Sequence, residues 1–447
     1  MDDNVPTKLL SRLSIASEII RSNDFIHIFS HYDADGISAA GILAKTLFRE
    51  GKDFTITLLT GLTDETFGKV RDCKAPCILM ADLGASYIER LEELDKAIVV
   101  LDHHKSKSDS EKICYVNPHL FGIDGMTDSC GAAVSLLFSV TMNEKNWDLS
   151  QIAFAGIAGD RQHINLGMIN RYILENAEKR NYIKTTPGSL IPPGNLYKEL
   201  YLTTDPYISG VSGDPEGVAD MMDTVKLSKG RMQSDLDDNE RRKLSSLITL
   251  KLLSKNVTQS TMNDIVRTRY YLNGWHMDAE TLSDMLNACG RLDLGGVGIG
   301  MCMGDERCRI EASTLNDEYR NSIVNAAKKL DSSGGLVKKK NIQYFDSSAS
   351  GFTGILCSIT MNYFGDPLLP TIGINSSEST AKASARGTWD QLNNGIDLST
   401  AMNAAAVAAG GEGGGHRIAS GASFPKTNLK IFIDSLDEIV GDQISAK

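Results

Sequence analysis

The chain has 447 residues, of which 41% are hydrophobic and 23% charged, and this composition is ordinary for a globular protein. Its length predicts two or three domains. Its formal net charge of −11 excludes a protein that is basic over its whole surface, but it does not exclude a local basic surface that binds nucleic acid. No apolar run reaches the roughly 18 residues of a membrane span, and the acidic start "MDDNVPTKLL" lacks a secretory signal. We therefore expect a cytoplasmic protein with no membrane partner.

Strand and helix patterns alternate in the N-terminal part of the chain. The short apolar runs "DFIHIFS", "FTITLLT", "PCILMADLG" and "KAIVVLDHH" each predict a strand. Between the first two runs, the residues after Gly36 carry an apolar stripe with the spacing of an amphipathic helix. Strands that alternate with helices predict an α/β domain built on a parallel sheet.

Acidic and histidine side chains follow three of these predicted strands. The first strand ends in "HYDAD", the third in "AD" and the fourth in "LDHH", and the small-residue helix "FAGIAGD" adds Asp160. Sites in parallel α/β sheets form beyond the carboxyl ends of the strands. We therefore expect one cluster at that edge, made of Asp33, Asp35, Asp82, Asp102, His103, His104 and Asp160.

Such a cluster has the chemistry of a metal centre. Carboxylates bind hard divalent cations, and imidazoles shift the preference toward manganese, iron or zinc. Several carboxylates are needed where two cations lie close together and activate one water toward a phosphate. A single "DxD" or "DHH" is usually an ordinary loop, but four such segments in order make that interpretation improbable.

The residue pattern changes twice in the rest of the chain. Residues 185–300 begin with a Pro- and Gly-rich stretch and continue with a helical pattern, which predicts a connecting segment with long helices. From about residue 301 the pattern is α/β again and includes an Ala-rich helix that runs into a glycine-rich loop, "GGEGGGHR". Backbone amides of that loop could approach an anion closely. No aromatic-rich stretch offers an obvious platform for base stacking.

Taken together, "HYDADG", "ADLG", "LDHHKS" and "GIAGD" resemble the four motifs of the DHH phosphoesterase superfamily. The segment "GEGGGHRIASGAS" resembles the signature of the DHHA1 domain, and "LNACGRLDLGGVGIGMCMGD" is similar to the archaeal RecJ-like branch. The resemblance implies an N-terminal parallel-sheet DHH domain in residues 1–184, a helical connecting segment in 185–300 and a C-terminal α/β DHHA1 domain in 301–447.

The resemblance also implies roles for the metal ligands. Asp33 would bind the first of two divalent cations, Mn²⁺ or else Mg²⁺, and Asp35 would bind the second. Asp82 would bridge both cations, and His103 and Asp160 would complete the second site.

Two further residues would support the reaction, and one ligand position departs from the family pattern. His104 would face the scissile phosphate, and Asp102 would orient the imidazoles. Many superfamily members have a ligand histidine four residues before the first aspartate of the pair, where this chain has Phe29. His31 is the expected substitute.

In the DHHA1 domain the resemblance implies residues that hold the nucleic-acid strand. The matching candidates are Ser384, Arg386, Gly414, Gly415, His416 and Arg417.

The function implied is a metal-dependent exonuclease that acts on single-stranded DNA or RNA. One alternative is a phosphodiesterase for short oligonucleotides or cyclic dinucleotides, although such relatives usually lack the long connecting segment. A second alternative is a scaffold protein of a replication complex that retains some nuclease activity, with partners such as a GINS-like complex.

Overall fold

The structure is a computed structural model that describes residues 5–106 and 108–446 of the chain. The chain divides into two compact units. The first comprises Met1–Gly188 and Arg267–Asp317, and the second comprises Ser189–Val266 and Glu318–Lys447.

A five-stranded parallel sheet organises the first unit, as the sequence predicts. Its order is β2-β1-β3-β4-β5. The strands are β1 (Phe25–His31), β2 (Asp53–Leu59), β3 (Cys77–Ala81), β4 (Ala97–Leu101) and β5 (Cys114–Val116).

The described residues of the same part of the chain form seven α-helices, followed by a strand that joins a small antiparallel sheet. The helices are α1 (Thr7–Arg21), α2 (Ala34–Arg49), α3 (Asp64–Arg71), α4 (Ile88–Leu91), α5 (Gly131–Met142), α6 (Ser150–Gly159) and α7 (Met168–Lys179). The strand is β6 (Ile183–Thr186).

Alternation along the strands separates the core of this unit into two layers. Ile28 of β1 packs in the cluster that includes α2, α5 and α6, whereas its neighbour Phe29 packs in the cluster on the other face of the sheet. Successive side chains of a strand point to opposite faces, so a parallel sheet buried on both sides consists of nearly continuous apolar runs. This explains why the strands can be recognised in the sequence.

The segment 189–266 is helical and lies in the second unit. It contains α8 (Leu196–Leu202), α9 (Pro215–Thr224), α10 (Asp238–Leu253) and α11 (Gln259–Ile265). The longest of these, α10, begins with a capping box in which Asp237 and Glu240 exchange side-chain to backbone hydrogen bonds.

The chain then returns to the first unit before it enters the second unit again. Here the elements are β7 (Arg269–Leu272), β8 (Met277–Asp278), α12 (Ala279–Arg291), α13 (Gly295–Met303) and the long α14 (Glu306–Ser333), which continues into the second unit. Strands β7 and β8 complete the small sheet in the order β6-β7-β8. Helix α12 packs against α2 and α6.

A mixed six-stranded sheet in the order β13-β14-β12-β11-β10-β9 forms the core of the second unit. The remaining elements are β9 (Val337–Lys338), β10 (Gln343–Asp346), α15 (Thr353–Tyr363), β11 (Thr371–Asn375), β12 (Thr380–Arg386), α16 (Trp389–Asn393), α17 (Leu398–Ala408), β13 (Glu412–His416), β14 (Ala419–Pro425) and α18 (Leu429–Ser445). Helices α17 and α18 pack against one another.

The prediction of a glycine-rich loop after α17 was wrong. Gly413, Gly414 and Gly415 lie in the edge strand β13, which pairs with β14 over its whole length. Glycine has a low strand propensity, but here close packing requires it. A Cβ atom added at Gly413 would lie 2.7 Å from the carbonyl oxygen of Met402 in α17.

No helix within the described residues is both long and apolar enough to cross a membrane.

Candidate active site

The acidic and histidine residues predicted to converge do so at the carboxyl edge of the parallel sheet. Their ligand atoms form three groups, and within each group these atoms lie within 4.8 Å of one another. The groups are His31 with Asp33 and Asp82; Asp35 with His103 and Asp160; and Asp82 with Asp102, His103 and His104. Asp82 and His103 each belong to two groups, so the three groups are continuous.

The hydrogen bonds of His103 prepare its ring for a cation. Its Nδ1 atom lies 2.6 Å from the backbone carbonyl oxygen of Gly125, which can only accept, so Nδ1 carries a proton. Its Nε2 atom faces carboxylate oxygens of Asp82 at 3.2 Å, Asp160 at 3.6 Å and Asp35 at 3.9 Å. A lone pair on Nε2 would repel these oxygens. The arrangement therefore requires a second proton on the ring or a metal ion between the groups, and the donor set fits the ion.

The carboxylate pKa values point to the same need for positive charge. Burial and the nearby Asp35 raise the pKa of Asp82 well above its usual value. Burial and Asp35 also raise the pKa of Asp160 to about 7. Burial opposes protonation of His103, but its hydrogen bond to Asp82 and the nearby carboxylates raise the pKa of His103 well above its usual value. Like charges this close hold protons unless a cation replaces them.

Asp35 is held by the start of a helix. It is 1% exposed, and its carboxylate accepts hydrogen bonds from the backbone amides of Gly131 at 2.7 Å and Ala132 at 2.9 Å. These are the first residues of α5, where unpaired amides and the helix dipole favour a negative charge. Asp35 is itself in the first turn of α2, which Asp33 caps by accepting from the amide of Gly36 at 3.1 Å.

Asp102 uses its carboxylate on neighbours within the protein. It is 1% exposed and accepts hydrogen bonds from the amides of Ala85, His103 and His104, at 2.7, 2.8 and 3.1 Å. Its Oδ1 atom also lies 2.8 Å from Nδ1 of His104. Burial would raise the pKa of Asp102, but the bond to His104 and the adjacent imidazoles lower it far below its usual range.

The His104 ring is therefore held by a hydrogen bond on one edge and is accessible to solvent elsewhere. Its side chain is 58% exposed, and the bond from Nδ1 to Asp102 fixes the ring. That bond also raises the pKa of His104 above its usual value. The ring can donate a proton or hydrogen bond from Nε2 to a group outside the protein.

His31, the expected substitute ligand, lies beside Asp33 and Asp82. Its Nδ1 atom lies 2.9 Å from Asp33 Oδ2 and 3.7 Å from Asp82 Oδ2. Phe29 is buried and stacks on His27 with a ring distance of 4.2 Å. Phe29 and His31 are two residues apart in β1 and so point to the same face of the sheet. The imidazole thus lies nearer the strand end than the family pattern has it.

Sequence reasoning missed residues that support the site. The side-chain Nε2 of Gln162 donates a hydrogen bond to the Gly125 carbonyl oxygen at 3.0 Å, and the same oxygen orients His103. The side-chain Nδ2 of Asn170 in turn donates to Gln162 Oε1 at 2.7 Å. Gln162 and Asn170 are 4% and 0% exposed. A single sequence carries no signal for such partners, since a buried amide has no motif of its own.

Arg291 was also missed as a site residue. Its guanidinium hydrogen-bonds to the hydroxyl of Tyr32 and lies 4.9 Å from the centre of that ring. Burial would raise the pKa of Asp33, but the bond to His31 and the charge of Arg291 together lower this pKa below its usual value. Arg291 is the last residue of α12, within the stretch "NACGR" that resembles the RecJ-like branch, and that resemblance was the available signal.

The second unit brings part of its predicted set onto one face of its sheet. Ser384 pairs with Gly421, which pairs with Gly414, so these three residues form a row across the sheet. The largest side chain in this row is the hydroxymethyl group of Ser384. The adjacent row holds Arg386 and His416, both paired with Ala419. Equivalent positions in paired strands share a face.

Gly415 and Arg417 lie apart from these rows. Gly415 pairs with Ser420 and so belongs to the opposite face, with a left-handed φ of 139°. Arg417 lies between β13 and β14, and its Nε atom lies 2.9 Å from Asp397 Oδ2.

Sequence comparison identifies both parts of the chain. Residues 25–158 match the N-terminal domain of the DHH family, and residues 342–442 match the DHHA1 domain. An uncharacterized protein of Methanocaldococcus jannaschii, MJ0831, is 33% identical over 440 residues, which cover 96% of both chains. The chain belongs to the DHH family.

Solved structures with the same fold include other DHH proteins. RecJ from Thermus thermophilus, solved with Mn²⁺, matches 98% of this chain with a TM-score of 0.61 and 17% identity. This chain covers 55% of that RecJ chain. CDC45 from Entamoeba histolytica matches 97% of this DHH chain with a TM-score of 0.64 and 11% identity, and 99% of CDC45 is covered. At these identities the likeness shows the fold alone.

Proposed function

We propose that this DHH protein is a metal-dependent exonuclease that hydrolyses phosphodiester bonds in single-stranded DNA or RNA. The observation that carries the proposal is the position of Asp82, whose carboxylate belongs both to the group of His31 and Asp33 and to the group that contains His103. A carboxylate shared in this way suits a centre of two cations, and the donor set of oxygens with imidazoles suits Mn²⁺, with Mg²⁺ as the alternative.

In this proposal the protein side chains divide into ligands and reacting groups. His31 and Asp33 would hold the first cation, and Asp35, His103 and Asp160 would hold the second. When bound, the cations lower the pKa of a water near the phosphate so that hydroxide forms near neutral pH.

The exposed His104 faces the phosphate and donates to the oxygen on which negative charge develops. Asp102 fixes the ring of His104 through Nδ1, and it remains ionised because of the hydrogen bonds that it accepts. Asp102 is therefore a positioning residue and does not itself exchange a proton.

Residues of the DHHA1 domain would bind the strand. Arg386 and His416 supply positive charge and hydrogen-bond donors beside the row of Ser384 and Gly414, where a phosphate can approach the sheet closely. Gly415 and Arg417 belong to the same proposed set, with Arg417 bound to Asp397 until a phosphate competes for it.

The second candidate, which the family resemblance implies, is a scaffold function in a replication complex with partners such as a GINS-like complex; CDC45 shares the fold of this chain. The convergence of carboxylates and imidazoles favours the enzyme, because a scaffold has no need for buried carboxylates that repel one another. A phosphodiesterase for cyclic dinucleotides or short oligonucleotides is the third candidate.

One assay separates the three. The purified protein is incubated with Mn²⁺ and with single-stranded DNA and RNA of several lengths, each labelled at one end. The exonuclease predicts stepwise shortening of long strands, no activity in chelator and recovery with Mn²⁺ above Mg²⁺. Cleavage limited to dinucleotides would favour the third candidate, and full activity in chelator after dialysis would exclude the metal mechanism.

A further inference from the structure

Trp389 of the second unit exposes a large apolar side chain to solvent. Trp389 is 67% exposed, and Leu368 of the same unit is 79% exposed, whereas Trp147 is 3% exposed. An indole normally gains free energy from burial. A solvent-facing tryptophan is therefore a candidate for contact with another molecule.

The backbone that carries Trp389 is rigidly held. Thr388 Oγ1 accepts from the amide of Gln391 at 3.1 Å, while Gln391 Oε1 accepts from the amide of Thr388 at 3.2 Å. The Gln391 side chain is 4% exposed and donates through Nε2 to the carbonyl of Pro367 at 3.0 Å, next to Leu368. The two exposed side chains thus belong to turns that are joined by a buried amide. Ordering this surface for binding costs little entropy.

Positive charge is attached to the same turn. Arg386 stands three residues before the indole, at the end of β12. The amide of the intervening Gly387 donates to the carbonyl of Ile418 at 2.8 Å, which ties the turn to the hairpin that carries His416 and Arg417.

Two of the carboxylates in this region are already paired. Asp366 Oδ2 lies 3.1 Å from Nζ of Lys338, and Asp397 Oδ2 lies 2.9 Å from Nε of Arg417. These two carboxylates therefore repel an anionic ligand less than unpaired carboxylates would.

We propose that Trp389 is a stacking platform for a base of the single strand, with Leu368 on the turn that Gln391 joins to it and the side chains of Arg386 and His416 on the strand's phosphates. The inference rests on the proposed function and adds to it the first contact with a base. Two exposed side chains are too few for a stable protein interface, which buries about 800 Å² on each partner. They match one base, and stacking accepts any base because every base has a π-face.

The test measures binding of the full chain to a short oligodeoxythymidylate in chelator, where nothing is cut, by tryptophan fluorescence and by anisotropy of a labelled strand. The wild-type protein should show quenching, since only Trp389 of the three tryptophans is largely exposed. Replacement Trp389→Ala should weaken binding about 5- to 150-fold and remove the quenching. Trp389→Phe should weaken it less.

Two controls make the result specific. Leu250→Ala removes an apolar side chain of the same unit that is 63% exposed, and it should leave the affinity unchanged. An abasic strand of the same length keeps the phosphates without the bases, so wild type and Trp389→Ala should bind it equally.

The inference is overturned if wild type binds no strand, if Trp389→Ala binds the oligodeoxythymidylate as wild type does, or if the replacement weakens binding of the abasic strand equally. Strand hydrolysis in Mn²⁺ is measured separately with the wild-type protein. Base-dependent binding without hydrolysis would contradict the proposed exonuclease and leave the platform standing. Strand hydrolysis by the wild type, with unchanged strand binding in Trp389→Ala, would support the proposed exonuclease and contradict the stacking platform.

Discussion

Asp82 combines three features that oppose folding. Its backbone has a φ of 55°, it is 2% exposed, and its pKa is raised because burial and Asp35 disfavour its ionised form. A residue other than glycine with a left-handed backbone conformation costs on the order of 1–3 kcal/mol of stability, and such costs persist mainly at functional sites. Asp and Asn tolerate this conformation better than other residues with a side chain. These costs are expected of a functional residue, and they agree with the shared role proposed for Asp82.

Replacement Asp82→Asn tests that role without changing the backbone preference or the side-chain volume. We expect hydrolysis to fall by at least about 10³-fold, on the scale of losing a key electrostatic contact. In chelator the melting temperature should stay equal or rise, because one of the repelling carboxylates is gone. The rise in melting temperature that Mn²⁺ gives the wild type should disappear. Both are measured by thermal unfolding beside the exposed control Asp95→Asn. Retention of a tenth of wild-type activity would contradict the bridging role.

At the scale of elements, the site depends on how closely three helices approach each other. A Cβ atom added at Gly156 of α6 would lie 2.4 Å from Cβ of Ala132 in α5 and 2.6 Å from Oδ1 of Asp35 in α2. One added at Gly131 would lie 2.9 Å from Oδ2 of Asp35. These small residues fix the carboxylate by leaving no space beside it.

Gly156→Ala should therefore disturb both packing and metal binding. We expect a loss of about 1–3 kcal/mol in the free energy of unfolding, the usual cost of overpacking. The affinity for Mn²⁺ should also fall, since Asp35 must move. Gly68→Ala in α3 is the matched control. Its nearest neighbour would be Arg71 Nη2 at 4.0 Å, and alanine should stabilise that helix by about 0.5–1 kcal/mol. Denaturant unfolding and calorimetric Mn²⁺ titration measure both effects, and an unchanged Mn²⁺ affinity in Gly156→Ala would refute the packing argument.

A partly buried ionic cluster holds the start of α12. Glu280 Oε2 lies 2.7 Å from Arg269 Nη1 and also pairs with Arg267, while Oε1 lies 3.2 Å from His163 Nε2. Burial would raise the pKa of Glu280, but His163 and the arginines lower it far below its usual range. Burial lowers the pKa of His163 despite the contact with Glu280.

Both shifts make acid destabilising. A group with a lowered folded-state pKa contributes stability at higher pH that is lost as the pH falls toward that pKa. The loss should begin below about pH 6.5 through His163 and continue below about 4.5 through Glu280. Glu280→Gln should reduce the free energy of unfolding at pH 7 by about 3–5 kcal/mol and flatten its dependence on pH below 4.5. Urea unfolding at a series of pH values measures this, with exposed Glu89→Gln as the control. An equally steep pH dependence in Glu280→Gln would contradict the assignment.

The sequence predicted which acidic and histidine residues converge, but it did not predict the residues that support them, for a physical reason. Asp33, Asp82 and His103 follow apolar runs, and the convergence of parallel strands brings together the residues that follow them. The support of Asp35 by Gly131 comes from contact between elements remote in the chain, which local patterns do not encode. The glycine run of β13 was predicted as a loop because its pairing with β14 is a property of the sheet.

For the whole molecule, binding a polyanion is a problem of charge distribution. The chain carries 57 acidic and 46 Lys and Arg residues, so long-range electrostatics oppose the approach of a nucleic acid. Attraction must come from local cations. Lys382 and Arg386 lie on one face of β12, with His416 in the row of Arg386.

Arg386→Ala tests whether this local charge binds the strand. A phosphate contact positions the substrate rather than taking part in the reaction, so KM for a long single strand should rise more than kcat falls. The loss of one phosphate contact should reduce the slope of log affinity against log salt by roughly one unit. Hydrolysis of a small phosphodiester should change little, because that substrate has no strand to hold. The control Arg242→Ala removes an exposed arginine from α10 of the same unit and should leave KM and the salt slope unaltered. KM is measured over a salt series for wild type and both variants. If strand and small-ester hydrolysis fall together in Arg386→Ala while the salt slope is unchanged, the arginine acts in the reaction or in folding, and not in holding the strand.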